Sequence, residues 1–535
     1  MNNLKTVVID TLARASGERY STFDVVGAGP RIIAGIAELY SDVYFYPFEK
    51  ALVEINSIID ADLVLISAMS SDYNALGKIL GKIRSHNYKG RVIVGGPISF
   101  EYEKVLLNLP VDYVVIGEGE IPLLNIFSKL KEKGEFNPTE IPALAYRVGS
   151  SVKTTGRHLH TPIEILDSIK PWTRVDEAFN HPQIYRFYVE VVRGCSNFQR
   201  PLITTEKYNC INCLNCRSPI LENRLVCPVG IPPGCGFCSV PYMFGPPRSR
   251  STKSIKREVE ELIQHGARRI VLSGPDFLDY MREKLVSNVL TNPCYPPANK
   301  EAIEGLLNEL SSIPEVESGR VVVMIENIKA CLVDEEVGRI LGKYLKGTTI
   351  HIGLETGSDE FNEKILGKPI LLKHVVEACR ILRAYGLRPY VYLMYGLPFA
   401  SEDVYRDTLR AISVLGSVGV EKITLYKFTS LPATAFEGLK TEIDSYLELI
   451  KSIKNTIDKY NMAMKRKLLG EKLEVWLVKS KKKIYGYPVK HGPVVFVEYH
   501  GRRNLTGCRG LVKIVDIGPR FVKGVLVSIL ECPGN

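Results

Sequence analysis

Short runs rich in β-branched and aliphatic residues recur through the first 140 positions, at Thr6–Asp10, Asp42–Tyr46, Leu63–Ser67, Arg91–Gly96 and Tyr113–Gly117. Helical-length segments separate them, among them Gly29–Tyr40 and Asn74–His86. This alternation predicts a doubly wound parallel sheet over residues 1–140. Residues 141–185 read as a connector of extended pieces and turns. A second alternating series follows, with strand candidates at Arg186–Gly194, Arg268–Gly274, Arg320–Glu326, Thr348–Glu355, Leu387–Gly396 and Glu421–Phe428. Helical stretches such as Ile255–Gly266 and His374–Gly386 lie between them. Residues 186–438 are therefore expected to form a partial (β/α)6 barrel, interrupted by an insertion at 196–234. Its functional residues should stand at the carboxyl ends of the strands. A polar helical linker follows at 439–470, and from 471 to 535 short strands broken by glycine predict a small β-barrel. The fold class is thus α/β, with an N-terminal doubly wound parallel sheet, a central partial barrel and a C-terminal small β-barrel.

At 535 residues the chain is too long for one ordinary core, which agrees with several units. No segment has the ~18 to 20 uninterrupted apolar residues of a membrane span. The opening stretch Met1–Gly17 reads as a strand and loop without the basic-then-apolar plan of a secretory signal, so a cytoplasmic location is expected. The formal net charge of +10 is uneven: residues 451–535 hold 18 Lys and Arg against 6 Asp and Glu, and the rest is close to neutral. A basic terminal unit points to a polyanionic partner, nucleic acid or an anionic lipid surface, with Lys479 to Lys483 as the anion-binding stretch. A solvated charged face is the plain alternative.

In a reducing compartment the twelve cysteines read as metal ligands before disulfides, because seven fall between positions 195 and 238. Cys294, Cys331, Cys379, Cys508 and Cys532 are scattered, and ordinary thiols are expected there. Cys210-Ile-Asn-Cys213-Leu-Asn-Cys216, followed by Cys227-Pro228, is close to the bacterial ferredoxin pattern. It supplies four thiolates for a complete auxiliary 4Fe–4S cluster, with tetrahedral zinc as the alternative.

The run Glu190-Val-Val-Arg-Gly-Cys195 is separated by 39 residues from Cys235-Gly-Phe-Cys238. Here the chain resembles the radical S-adenosylmethionine (SAM) superfamily, whose usual signature is Cys-x3-Cys-x2-Cys with an aromatic residue before the last cysteine. Phe237 keeps that half, but Ile231 stands where the first cysteine is expected. The resemblance implies Cys195 as the third ligand beside Cys235 and Cys238, with Cys227 as the other candidate. Three thiolates leave one iron open to the amino and carboxylate groups of SAM. The same resemblance implies that Asp276 meets the cofactor's amino group, although an Asp at a turn is equally a helix cap. It implies that Glu355 and Ser358 approach the ribose and carboxylate, and that Gly396 and Pro398 lie near the adenine. The reaction type implied is release of a 5′-deoxyadenosyl radical, which abstracts hydrogen from an unactivated C–H bond.

Arg91–Phe100 followed by Val111–Phe127 resembles the cobalamin-binding-type domain that precedes many such enzymes. The Asp-x-His-x-x-Gly loop of its cobalt-ligating members is not matched, since Asp10-Thr-Leu-Ala13 lacks the histidine and the first histidine is His86. The expectation is a domain that works without cobalamin, or binds it with no protein ligand to cobalt. The strands from Val475 to Leu530 resemble the TRAM domain attached to RNA-modifying enzymes. Asp24–Glu38, Val191–Pro201 and Cys227–Pro241 resemble the archaeal GDGT ring synthases, which form cyclopentane rings in tetraether membrane lipids. That resemblance implies C–C bond formation in a tetraether lipid, a peripheral place at the membrane surface, an external electron donor and an auxiliary cluster that takes the surplus electron. Radical methyl or methylthio transfer to RNA or protein is the alternative. A non-catalytic electron-transfer protein would leave the Glu355 and Gly396 motifs without a job.

Overall fold

The computed structural model describes residues 4–12, 14–15, 24–441, 443–480, 483–501 and 503–533. They fall into two compact units, the first from residues 1–182, 187–189 and 250–266, the second from 183–186, 190–249 and 267–535.

In the first unit one sheet holds β1 (Leu4–Asp10), β2 (Ser41–Pro47), β3 (Leu63–Ser67), β4 (Arg91–Gly95), β5 (Tyr113–Val115), β6 (Leu144–Val148) and β7 (Ser151–Thr154). Their order is β2-β1-β3-β4-β5-β6-β7. Strands β1 to β5 run parallel, while β6 and β7 are antiparallel. Parallel strands are covered on both faces, which is why Val7, Val8 and Ile9 are all buried and the strands read as unbroken apolar runs. Helices α1 (Ala28–Glu38) and α2 (Tyr73–Ser85) join strands of this sheet. α2 buries Ala75, Leu76, Ile79, Leu80 and Ile83, a stripe at helical spacing. The sheet runs on past residue 140, because Leu144 and Ala145 are buried in it where a connector is expected. The segment expected as a barrel helix, α3 (Thr252–Gln264), also belongs to this unit. Its buried Glu258 accepts from Arg31 at 2.7 Å and Arg250 at 2.6 Å. Burial alone would raise that carboxyl, and the two guanidiniums hold it below the usual range.

In the second unit β8 (Arg269–Ser273) pairs in parallel with β9 (Val322–Ile325). β10 (Asn327–Ile328), β11 (Thr349–Glu355), β12 (Arg388–Tyr395) and β13 (Lys422–Lys427) form a parallel sheet in chain order. Helices α4 (Glu335–Leu345), α5 (Leu372–Ala384) and α6 (Glu402–Ser417) connect them. α4 starts at Asp334, whose side chain accepts the Val337 N–H at 2.9 Å. α7 (Leu447–Arg466) buries only Ile450, Ile453 and Ile457, hence its polar sequence. It leads into a closed barrel of β14 (Lys472–Ser480), β15 (Lys483–Pro488), β16 (Val494–Glu498), β17 (Arg509–Ile517) and β18 (Phe521–Glu531), ordered β14-β15-β16-β18-β17. Val475, Leu477, Val495, Val512, Ile514 and Val522 fill its interior. Of the basic stretch, Lys481 and Lys482 lie outside the described residues.

The expectation of ordinary thiols at the scattered cysteines is corrected at four positions. Cys294 is bonded to Cys331 and Cys508 to Cys532, with Cα atoms 5.5 and 4.1 Å apart, and only Cys379 remains a buried thiol. Tertiary convergence makes these pairs, across 37 and 24 residues of sequence, and no local pattern announces it. Among the described residues no helix is long and apolar enough to cross a membrane.

Candidate functional site

Gly194 has φ +86°, and a Cβ there would meet the Pro246 carbonyl at 2.3 Å, so this turn requires glycine. The N–H of Cys195 then donates to the Gly245 carbonyl at 3.0 Å, which pins it beside the short helix Val240–Phe244 that follows Cys238. Asn197 joins the two halves. Its N–H donates to Cys195 Sγ at 3.4 Å, while Nδ2 donates to Cys235 Sγ at 3.3 Å and to the Gly367 carbonyl at 2.9 Å. Burial pushes the Cys235 thiol up to about 11 and Cys238 up to about 12, and raises Cys195 as well. Thiols so placed ionise readily only against added positive charge, which an iron–sulfur core provides, and N–H donors directed at sulfur suit the same core. The residues present fit such a group.

Two half-buried lysines flank these cysteines. Lys368 Nζ donates to Glu355 Oε1 at 2.5 Å, and both are electrostatic neighbours of Cys235. Glu355 ends β11 with φ +73°, a left-handed conformation that costs a residue other than glycine of order 1 kcal/mol and gathers at functional sites. On the Cys195 side, Lys329 Nζ lies 2.8 Å from Asp276 Oδ2, 2.6 Å from Asp279 Oδ2 and 3.1 Å from Ser196 Oγ. Arg282 also pairs with Asp279. Burial raises the Asp276 carboxyl, whereas Lys329 and Arg282 outweigh burial at Asp279 and hold it low.

Cys195, Cys235, Cys238 and Glu355 are brought together, and Asp276 stands on the Cys195 side. Asp276 acts as a cap, since Oδ1 accepts the N–H groups of Leu278 at 3.1 Å and Lys329 at 3.0 Å. Ser358 is tied into its own turn, its N–H donating to Thr356 Oγ1 at 3.2 Å. Gly396 has φ +72° and donates its N–H to Tyr405 Oη at 3.3 Å, and Pro398 is buried beside it. Leu397 of the same turn shares an apolar cluster with Phe237. Asn197, Lys329 and Lys368 escaped the sequence reading. Only their nearness to Cys195 or Cys235 in space marks them, and the chain shows that only for Asn197, two residues after Cys195.

Cys210, Cys213, Cys216 and Cys227 line one cavity together with Arg200 and Ile231. Arg217 Nη1 donates to Cys216 Sγ at 3.2 Å. Among the described residues no three His, Cys, Asp or Glu side chains are grouped tightly enough for a single metal ion, whereas four thiols round a cavity suit a multi-iron core.

In the first unit the strand order reverses between β1 and β3, and ligands of such sheets bind in the crevice at the carboxyl ends of the strands there. Asp10 to Leu12 and Ser67 to Met69 follow these two strands, and Thr11 donates to the Ser67 carbonyl from its N–H at 3.2 Å and from its hydroxyl at 2.7 Å. No histidine stands on the described part of this loop, and His86 follows α2 on the way into β4, toward the amino ends of the strands.

Residues 226–412 match the radical SAM superfamily and residues 21–127 match the B12 binding domain. The second match runs against the expectation of a domain without cobalamin. The chain is 36% identical over 535 residues to the uncharacterized protein MJ1620 of Methanocaldococcus jannaschii, covering 99% of this chain and 100% of that protein. It is 22% identical over 504 residues to the tRNA-2-methylthio-N(6)-dimethylallyladenosine synthase of Pelobacter propionicus, covering 92% of this chain and 94% of that one. Its fold is similar to that of the radical S-adenosylmethionine methyltransferase TsrM from Kitasatospora setae, solved with cobalamin and a [4Fe-4S] cluster. The TM-score there is 0.58 at 11% identity, over 81% of this chain and 74% of that one. The chain therefore belongs to the radical SAM superfamily, carries a B12 binding domain, and is of one family with the Methanocaldococcus jannaschii protein.

Proposed function

We propose that this protein is a radical SAM enzyme that modifies RNA by methyl or methylthio transfer. The observation that carries the reading is the outer face of the terminal barrel. Tyr485, Phe496 and Phe521 stand side by side there, with ring centroids 5.0 and 4.4 Å apart, and Lys483 lies 5.8 Å from the Phe496 ring centre. Lys479, Arg503 and Lys523 join Phe496 round a groove of about 400 Å3. Half-buried rings among cations form a platform on which unpaired bases stack while the cations meet phosphates.

Cys195, Cys235 and Cys238 would hold the cluster that binds SAM, with Glu355, Ser358, Gly396 and Pro398 toward the cofactor. Asp276, engaged as a cap, would support Lys329 instead. Cys210, Cys213, Cys216 and Cys227 would hold the auxiliary cluster, and cobalamin would lie at the carboxyl ends of β1 and β3. When bound, these groups supply one-electron cleavage of SAM to a 5′-deoxyadenosyl radical and a carrier for a methyl group. The chain's own part is to fix the thiolates through Asn197, to keep buried charge balanced at Lys329 and Lys368, and to hold the polyanion on the barrel. An external electron donor completes the reaction.

One observation favours the lipid reading as a second. Val515, Val525, Val527, Ile529 and Leu530 are exposed on β17 and β18, as a membrane-facing surface would be. Under it the enzyme closes cyclopentane rings in a tetraether lipid and works peripherally at an anionic membrane. Mass spectrometry of RNA and lipid, each incubated with reconstituted protein, reductant and SAM, decides between them. Group transfer adds mass to a nucleoside, whereas ring closure removes two hydrogens from the lipid for each ring. Altered lipid with unchanged nucleosides would overturn the RNA reading.

A further inference from the structure

We infer that Arg200, Arg217 and Arg224 raise the reduction potential of the four-cysteine site above that of the site at Cys195, Cys235 and Cys238. The inference rests on the reading that both cysteine groups hold iron–sulfur clusters.

Arg200 lines the four-cysteine cavity and is buried. It donates only to carbonyls, those of Phe198, Arg224, Leu225 and Ile231, at 2.6 to 3.2 Å. Arg217 donates to Cys216 Sγ and to the carbonyls of Arg200 and Glu363. The buried Arg224 donates from Nε to the Ser218 carbonyl, and its Nη1 has no hydrogen-bond partner. Among the described residues none of the three guanidiniums pairs with a carboxylate. Cysteine thiols adjoin them instead, with Cys213, Cys216 and Cys227 about Arg200, and Cys216 beside Arg217 and Arg224.

A guanidinium stays charged in any protein setting, and burying one without a counter-charge is costly. A cluster held by four thiolates supplies that counter-charge and gains one more negative charge when it takes an electron. Uncompensated cations beside it favour the reduced form. The other site differs in this respect. Lys329 pairs with Asp276 and Asp279, Arg282 with Asp279, and Lys368 with Glu355. Three cations there face three carboxylates, and the field on an added electron largely cancels.

The test is a potentiometric titration with dithionite, followed by electron paramagnetic resonance, on the anaerobically reconstituted full chain. Cys213→Ala and Cys235→Ala assign the two signals. The auxiliary cluster should reduce first. Arg217→Gln removes one charge but keeps a donor for Cys216. At the wild-type midpoint it should leave the auxiliary cluster about tenfold less reduced, equivalent to ~59 mV for one electron, with the other signal unmoved. Reduction of the auxiliary cluster last, or an unchanged midpoint in an Arg217→Gln protein that keeps its iron, would overturn the inference. If that variant loses iron, Arg224→Gln decides in the same way. Zinc, or only half the iron, in the wild-type protein would instead defeat the two-cluster reading, and the inference with it.

Discussion

Replacing Lys329 by methionine removes the cation that two buried carboxylates share. Asp276 and Asp279 are 1% and 0% exposed, and the ammonium stands 2.8 and 2.6 Å from their oxygens. Removing one partner of a buried pair costs about 3–5 kcal/mol, mostly because the other charge is stranded. Arg282 still neutralises Asp279, so the cost falls on Asp276. Burial already raises that carboxyl, and taking up a proton would limit the penalty to about 3 kcal/mol. The damage should spread to Cys195, because the neighbouring Ser196 hydroxyl donates to Asp279 at 2.9 Å and meets Lys329. Lys329→Met is therefore expected to lower the denaturant midpoint of the second unit and to lose iron on anaerobic reconstitution. Lys329→Met with Asp276→Asn should recover most of the stability, since no stranded charge remains. Urea titration and iron analysis of the three proteins check this. A Lys329→Met protein with wild-type midpoint and iron would refute the reasoning, and so would a double variant worse than the single.

Anaerobic reconstitution should give about eight irons per chain. Cys235→Ala should then abolish cleavage of SAM, while Cys213→Ala keeps some cleavage and loses product, as 5′-deoxyadenosine assays would show. Burial holds His351 down to about 4 against an ordinary 6.5. The unfolded chain thus takes up a proton near pH 6.5 that the folded chain refuses until about pH 4. Stability present above pH 6.5 should fall as pH drops through that window, by about 3 kcal/mol. Urea titrations across it should show the loss in the wild type, and a flatter profile in His351→Gln. Phe496→Ala should weaken single-stranded RNA binding by about 1–3 kcal/mol if one base stacks on the ring, measured by fluorescence anisotropy at fixed salt.

Strands buried on both faces leave little choice of residue, which is why β1, β3 and β4 are legible as apolar runs. The closed terminal barrel is legible for a related reason, because its alternating inward positions and glycines set a period of two. Legibility fails wherever partners are distant in sequence. Glu258 on α3 reads as an ordinary charged helix position, yet it is buried against Arg31, 227 residues earlier. Lys329 and Lys368 carry no local sign of nearness to cysteines that precede them by more than a hundred residues. The disulfide pairs fail for the same cause. Cys210, Cys213, Cys216 and Cys227 stand out as a group because they share one short stretch of chain, and they line one cavity, whereas Cys195 needed a resemblance to be chosen.

The structure also gives a physical reason why position 231 does not carry the missing cysteine, and this leads to a test. Ile231 is 2% exposed and packs in an apolar cluster with Phe361, Leu366, Leu397 and Phe436. It also lines the four-cysteine cavity, and its carbonyl accepts from Arg200 Nε at 2.8 Å. Position 231 thus forms a wall of the four-cysteine cavity. Cys195, by contrast, shares Asn197 with Cys235. Restoring the usual spacing with Ile231→Cys should therefore not compensate for Cys195→Ala. The double variant is expected to lack SAM cleavage as fully as Cys195→Ala alone. Ile231→Cys by itself should cost about 2–3 kcal/mol through lost apolar volume while keeping cleavage. Recovery of cleavage and of the iron of that cluster in the double variant would show that position 231 reaches it, and would remove Cys195 from the proposed ligand set.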